Sequence, residues 1–590
     1  MSLISDSSRS SIDRYWRYVP AVLLLVLPVL NLPLAFLRLT GEKVPLFGTV
    51  TAAGCAETGT VALAVVILFH RQAFFELARQ RLLQIWCGAG TLLFIAALYK
   101  QMVYRDVWSN VETALMYTLL PLAAAVLKKE LLRLIPGFSF FILLLSAASG
   151  LLSEQFTGFT GNWNWTQAML IAAIPGAVVF CRLRKELYWS IGIAAAVMIL
   201  FALLAPELIS RAVLLATAAG TVLLLTGRFI PEQFKNKTAL FATAAVTVAL
   251  AAFIVICDQP DSRVQLWKGS FALFAEYPLS GIGGIYRFPE FIAPFLPEKY
   301  FFSPFAASLH THPHNEFLSM ACSYGIWGII YLGIILWMLL GSAMQKPDRE
   351  KLPALWWGII IFICGQFDLT ASIPPGAVML LICTEISTGD ESAFPAETVP
   401  IWQCRFAACM LMLYVAGNMV SMCRATWQLR AGQLAMLKGD LPKAIQHYEK
   451  SIAIRPTRHA LYELAEIELG KRNSPQRTFG LLYRLEEELG SSNYLHTNRL
   501  KAVSLVQLRQ AQKAENFLKT EITHYPYSII NARLHWLLLQ ILRRPQQEIA
   551  AAQQHFLNLC ALRKISPVDA VKITPPQDDS ALEAPPQEGR

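Results

Sequence analysis

The sequence predicts an all-α protein: a polytopic helical membrane bundle of about 12–13 spans with a soluble helical domain at its C-terminal end. Three observations carry that expectation. Hydrophobic residues make up 55% of the 590 positions and charged residues only 16%, with a mean hydropathy of +0.43, where an average soluble domain is about 45–50% apolar and about 25% charged. Apolar runs recur along the chain at or near the about 20 residues that an α-helix needs to cross a hydrocarbon core of about 30 Å. After Cys423 the texture changes to charged, helix-periodic sequence, which marks a separate domain.

Residues 1–18 carry Arg9, Arg14 and Arg17 and are expected on the cytoplasmic side. The run at 19–37 has the basic flank of a signal peptide. It is longer than a usual signal core and lacks a clear small-residue cleavage site, so it reads as a retained first span. Further runs follow at 48–69, 83–99, 112–127, 134–152, 167–181, 189–205, 212–227 and 238–257, which gives nine transmembrane helices within 19–257. A long outward segment, 258–316, comes next. The remaining spans occupy 317–422, at 317–342, 353–367, 375–386 and 401–422, and the short 375–386 run is also readable as re-entrant.

Cationic loops stay cytoplasmic. Arg71, Arg79 and Arg81 share one loop, Lys128, Lys129 and Arg133 a second, and Arg182, Arg184 and Lys185 a third. Arg228, Lys235 and Lys237 follow, then Lys346, Arg349 and Lys351. The loops between them are poorer in cations, and 153–166 has none, so these face outward. The same alternation puts 258–316 outside, and the C-terminal domain too if 375–386 crosses.

That domain, 423–566, opens with Ala435, Leu437, Gly439, Asp440, Ala444, Tyr448, Ile452, Ile454 and Pro456, which resemble the helix-turn-helix pattern of a tetratricopeptide repeat. Ala511, Ala514, Phe517 and Pro526 repeat its second half. Such repeats bind peptides or proteins, or serve simply as helical packing. From 567 to 590 prolines and acidic residues without aromatics predict a loose tail.

The net charge of +10 follows from the cationic loops, so no nucleic-acid partner is expected. Cys87, Cys181, Cys257, Cys364, Cys383 and Cys409 lie within apolar runs as small buried hydrophobes, and no CxxC pair is present. A transporter would place ionisable groups at membrane depth. Glu57 is the one carboxylate well inside a run, with a bundle-facing hydrogen-bonded side chain as its plain reading. A lipid-linked glycan transporter or a non-catalytic repeat scaffold is therefore the reading of a different class.

Polar residues with chemistry to offer gather at one place. His310, His312 and His314 lie in LHTHPHNEF, just before the 317–342 run, and so at the outer membrane surface. Alternate histidines in extended chain can share a metal, with Glu316 as a further ligand, although Pro313 breaks any helical histidine pair. They can also merely mark a loop end. Thirdly, a neutral imidazole can take a proton from an attacking hydroxyl, with Asn315 orienting a ring or the substrate. Upstream in the same segment stand Arg263, Trp267, Pro278, Gly281, Gly283, Gly284 and Arg287. The glycines read as a tight turn. Arg263, Arg287 and Arg211, the last at the outer start of another run, are either membrane-surface anchors or ligands for a diphosphate.

The order of Ser210-Arg211-Ala212, Arg263 with Trp267, Pro278 with Gly281 and Gly283, and His312-Pro313-His314-Asn315 with Gly325 and Gly328 resembles the O-antigen ligase superfamily. This superfamily includes lipopolysaccharide O-antigen ligases, O-antigen polymerases and the bacterial O-oligosaccharyltransferases that glycosylate pilins. Gly161, Asn162 and Asn164 resemble the outer-loop signature of the last branch, and Asp368 is a further correspondence. The resemblance implies a GT-C-like enzyme of the bacterial inner membrane. It implies metal-independent, inverting transfer of an oligosaccharide from undecaprenyl diphosphate at the periplasmic face, without a cofactor. Arg211, Arg263 and Arg287 would hold the donor diphosphate, His314 or His312 would be the base, and Asn315, Asn164, Gly283 and Asp368 would support them. The sizeable C-terminal domain favours a pilin-like protein acceptor, with ligation to lipid A-core and then polymerisation as the alternatives.

Overall fold

The computed structural model describes residues 18–30, 47–104, 108–152, 163–181, 210–226, 262–284, 287–297, 300, 312–345, 350–368, 370–371, 373–388, 401–489, 494–562 and 565–568. Every element among them is helical. The expected spans at 189–205 and 238–257 lie outside the described residues, as do His310, Gly161, Asn162, Cys257 and most of the expected tail.

Among the described residues, eight helices precede the 258–316 segment: α1 Tyr18–Leu30, α2 Phe47–Leu68, α3 His70–Arg79, α4 Arg81–Tyr104, α5 Trp108–Val126, α6 Lys128–Leu152, α7 Trp163–Phe180 and α8 Arg211–Thr226. The apolar stretch of α2 turns by 93° into α3, whose arginines fall where the sequence expected a cytoplasmic loop. Small residues bring backbones together: a Cβ on Gly59 would lie 2.9 Å from the Glu112 carbonyl, and one on Gly90 2.8 Å from Thr118 Cα. In the absence of a hydrophobic drive between helices in lipid, such close approach supplies the packing. Glu57, two residues before Gly59, is buried in the bundle.

Three described helical segments, Arg81–Met102, Lys128–Ala148 and Ile326–Met344, are individually long and apolar enough to cross a membrane, and the bent α2–α3 pair makes a fourth if it is one span. The remaining apolar helices are shorter. Their indoles and phenols tie them into one bundle: Trp356 donates to the Ile171 carbonyl at 2.9 Å, Trp357 to Ser139 Oγ at 3.0 Å, and Tyr331 to the Tyr117 carbonyl at 2.7 Å. Cys364 and Cys383 are buried there, as expected. Cys181 and Cys409 are exposed on helix surfaces, which corrects the expectation that they are buried; an apolar face that meets lipid tolerates a thiol as readily as a core does.

The 258–316 segment contributes α9 Ser262–Glu276 and the short α10 Phe288–Ile292. The expected single helix at 317–342 is instead two, α11 Glu316–Tyr324 and α12 Ile326–Met344. Gly325 separates them at φ +66° and ψ −146°, a sparsely populated conformation that costs a residue with a Cβ about 1–3 kcal/mol. The break is locked from outside. Pro278 O accepts from Ile326 N at 2.7 Å, Cys322 O from Ile282 N at 2.8 Å and Ser323 O from Gly283 N at 2.9 Å. The loop after α9 thus caps the exposed carbonyls at the end of α11.

Next come α13 Leu352–Gly365, α14 Pro374–Thr388 and α15 Ile401–Leu437. α14 is buried along its length. It begins beside Thr370, and its far end lies by Ser342, whose Oγ donates to Ser387 O at 3.3 Å. As Ser342 is near the end of α12 remote from Gly325, α14 runs the length of α12 rather than turning back. α15 has 37 residues, about 55 Å at 1.5 Å per residue, so the last apolar helix continues directly into the C-terminal domain.

That domain adds α16 Leu441–Ile454, α17 Arg458–Gly470, α18 Pro475–Leu489, α19 Thr497–Gln507, α20 Ala511–His524, α21 Ile529–Ile541 and α22 Gln546–Leu562. Asp440, Thr457 and Ser528 cap α16, α17 and α21 through their side-chain oxygens. The domain packs against the 258–316 segment. Arg458 at the start of α17 pairs with Glu290 of α10 at 3.3 Å, and Tyr527 packs on the cluster formed by Leu266, Leu273, Phe288 and Ile292.

Candidate functional site

The histidine segment enters α11 through a fixed turn. His314 is left-handed at φ +53°, a conformation uncommon for a residue with a Cβ and found at sites that the surroundings over-determine. Asn315 is extended, and its Oδ1 accepts from Leu318 N at 3.0 Å, capping α11. Its Nδ2 donates to the Gln366 carbonyl at 2.9 Å. Asn315 is buried, so both halves of its amide are used in joining the histidine turn to the end of α13. On the other side Trp267 of α9 donates to the Pro313 carbonyl at 2.8 Å.

These restraints bring His314 against Asp368. Nδ1 of His314 lies 3.3 Å from Asp368 Oδ1, and Asn164 Nδ2 donates to Asp368 Oδ2 at 3.3 Å. The carboxylate side chain is 7% exposed and the imidazole 20%. A buried carboxylate fixes ring orientation and stabilises an imidazolium, while the more open ring remains within reach of a substrate. The His312 ring lies against that of His314, with centroids 4.2 Å apart. Three elements distant in sequence, the ends of α7, α11 and α13, therefore converge on one polar cluster.

The arginines fall in two places. Arg211 is exposed at the start of α8. Ser210 N donates to Gln167 Oε1 at 3.0 Å, one turn along α7 from Asn164, and Cys364 Sγ approaches Ala212 O at 4.0 Å. Arg211 thus stands at the rim to which Asn164 and Asp368 belong. Arg263 is exposed at the start of α9, one turn before Trp267. Arg287 is different: it is 4% exposed, 3.8 Å from Glu290, and stacked 4.8 Å from the centre of the Phe291 ring. Its charge is engaged with a carboxylate, which argues against a diphosphate role.

Gly283 contributes backbone only, at φ +95°, through its bond to Ser323 O. The neighbouring turn requires its glycines: at Gly281 (φ +57°) a Cβ would sit 2.4 Å from the Ser323 carbonyl carbon. Gln167 and Gln366, which help to hold the rim together, were not singled out in the sequence, and nothing in their spacing distinguishes them from other polar residues at helix ends.

Among the described residues, His312, His314 and Asp368 form a group with the composition to hold a metal ion. One ligand atom from each lies within 4.8 Å of the others. Two imidazoles and a carboxylate suit several divalent metals. Glu316, suggested as a ligand by the sequence, is not in this group; it is buried in the first turn of α11.

In comparison with known proteins, residues 164–333 match the family described as O-antigen ligase. That span holds Asn164, Arg211, Arg263, Trp267 and the whole histidine segment, so the superfamily resemblance read from the motifs stands over these residues. Among curated proteins none matches the chain.

Proposed function

Taking the O-antigen ligase match across residues 164–333 as premise, we propose that the protein transfers an oligosaccharide from undecaprenyl diphosphate to an acceptor hydroxyl at the periplasmic face of the inner membrane. The observation that carries this reading is the pairing of His314 Nδ1 with Asp368 Oδ1 at 3.3 Å beside an exposed arginine at the same rim. In the tautomer with Nδ1–H donating to Asp368, Nε2 is the basic nitrogen. It takes the proton of the acceptor hydroxyl as that oxygen attacks the anomeric carbon from the face opposite the diphosphate. The carbon–oxygen bond to the diphosphate breaks, its electron pair leaves with undecaprenyl diphosphate, and the anomeric configuration inverts. Arg211 and Arg263 stabilise the charge that develops on the departing group. Asn164 and Asn315 hold Asp368 and the histidine turn in place.

For the acceptor we favour a pilin-like protein. The C-terminal domain, read as tetratricopeptide-like, is packed against the outward segment through Arg458 and Glu290, where it could hold a folded acceptor over the site. Lipid A-core would instead arrive laterally, through the membrane. The test is transfer by purified protein supplied with lipid-linked oligosaccharide and either pilin or lipid A-core. Product on pilin supports the oligosaccharyltransferase reading, whereas product on lipid A-core alone makes the protein a ligase. The grouping of His312, His314 and Asp368 gives a second reading, metal-assisted transfer. It requires activity to be lost with a chelator and restored by a divalent cation.

A further inference from the structure

The contact between the C-terminal domain and the outward segment is built around one carboxylate. Glu290 is 2% exposed; its Oε2 lies 3.8 Å from Arg287 Nε, and its Oε1 lies 3.3 Å from a terminal guanidinium nitrogen of Arg458. One arginine comes from the residue just before α10 and the other from the first turn of α17, so the two oxygens are divided between the outward segment and the C-terminal domain. A carboxylate this deeply buried is costly unless paired. What such a buried ion pair gains is a fixed geometry more than net stability, since apolar replacements often stabilise equally well.

This contact is connected to the site by packed side chains. Phe288 and Ile292 of α10 cluster with Leu266 and Leu273 of α9 and with Cys322 of α11. α9 also carries Trp267, which holds the Pro313 carbonyl, and α11 begins at the histidine turn. Tyr527 inserts into the same cluster from the C-terminal domain. The domain is also tethered through α15, a single long helix. A helix alone leaves rotation free, and the contact at Glu290, with Tyr527 beside it, opposes that rotation.

We propose that Glu290 is a positioning residue that clasps the C-terminal domain to the outward segment through Arg287 and Arg458, and thereby sets where an acceptor bound to that domain meets His314. The consequence for the acceptor rests on the glycosyl-transfer reading; the clasp itself does not.

The test uses the full-length protein in nanodiscs, as Arg458→Gln, Glu290→Gln, the double variant and Arg458→Lys. Amide hydrogen exchange reports the contact, and transfer kinetics with donor and acceptor varied separately report its effect. Losing one partner of a buried charge pair should speed exchange in 288–297 and 458–470 by about tenfold or more. The acceptor KM should rise by about the same factor while kcat and the donor KM stay put, the signature of lost binding rather than lost chemistry. Arg458→Lys should recover most of both, and the double variant should be no worse than the more severe single one. If Glu290→Gln does not fold, Arg458→Gln decides alone. Unchanged exchange and acceptor KM in Arg458→Gln overturn the proposal, as does a fall in kcat alone. If the wild type transfers no glycan to any acceptor, the glycosyl-transfer reading fails, and exchange still decides whether the clasp exists.

Discussion

His314 and Asp368 are 54 positions apart in sequence and 3.3 Å apart in space, the imidazole Nδ1 facing one carboxylate oxygen while Asn164 occupies the other. The relationship separates two histidines that the sequence leaves equivalent. His314 has a carboxylate to set its ring, and His312 lies against that ring. It also accounts for the position of Asp368, immediately after α13, where no requirement of span composition calls for an acid.

Asp368→Asn preserves shape and removes the charge that supports an imidazolium. Transfer should fall by about 10²–10⁴-fold in kcat, the range ascribed to a positioned general base, with little change in donor KM. Initial rates at saturating donor check this, and a melting curve in detergent shows whether the variant is folded.

Trp267→Phe keeps an aromatic ring against Leu318 and deletes the donor to the Pro313 carbonyl. A hydrogen bond of this kind contributes about 0.5–1.5 kcal/mol net. The melting temperature should therefore move by a few degrees at most, whereas kcat should drop more than stability does, because the turn that presents His314 loosens.

Gly325→Ala meets two obstacles, a positive-φ backbone and a Pro278 carbonyl oxygen 2.5 Å from the new methyl. Gly439→Ala meets only the first: its φ is +73° and nothing lies within 4 Å of the added carbon. The second variant should lose about 1–2 kcal/mol and remain folded. Gly325→Ala should lose distinctly more and detach the 277–284 loop from α11. Paired melting curves compare them.

Acid should weaken the C-terminal domain through Glu463. Burial alone would raise its pKa, but bonds from His459, Tyr448 and Gln433 outweigh burial and hold it below the ordinary carboxylate range. A group with a depressed folded pKa stabilises above its unfolded pKa, about 4.3 for Glu, and that stability is lost as pH falls through the lower folded value. Unfolding of the domain should become easier on descending below about pH 4.3. In Glu463→Gln that part of the pH dependence should vanish, as followed by the fluorescence of Trp536 during denaturant titration.

Sequence reasoning reached the helical class and named most of the polar residues that the structure brings together around Asp368, because hydropathy and the polar segments at the ends of apolar runs are local properties. It did not see the break at Gly325. The apolar run is continuous there, and only the carbonyl of Pro278 and the positive φ reveal that two helices meet. Arg287 was equally ambiguous: an arginine near a membrane surface looks the same whether it faces a diphosphate or a carboxylate, and the deciding partner, Glu290, sits only three residues along. The clasp with Arg458 depends on how a distant helix docks, which no spacing records.

In the proposed mechanism His314, oriented by Asp368, is the base in glycan transfer. The most direct test measures transfer from lipid-linked oligosaccharide by purified wild type, His314→Ala and His312→Ala, each with and without a chelator. His314→Ala should abolish transfer, His312→Ala should retain a measurable rate, and the chelator should change neither wild type nor His312→Ala. Transfer by His314→Ala at the wild-type rate would contradict that mechanism, and loss of wild-type activity with the chelator would assign His312, His314 and Asp368 to a metal instead.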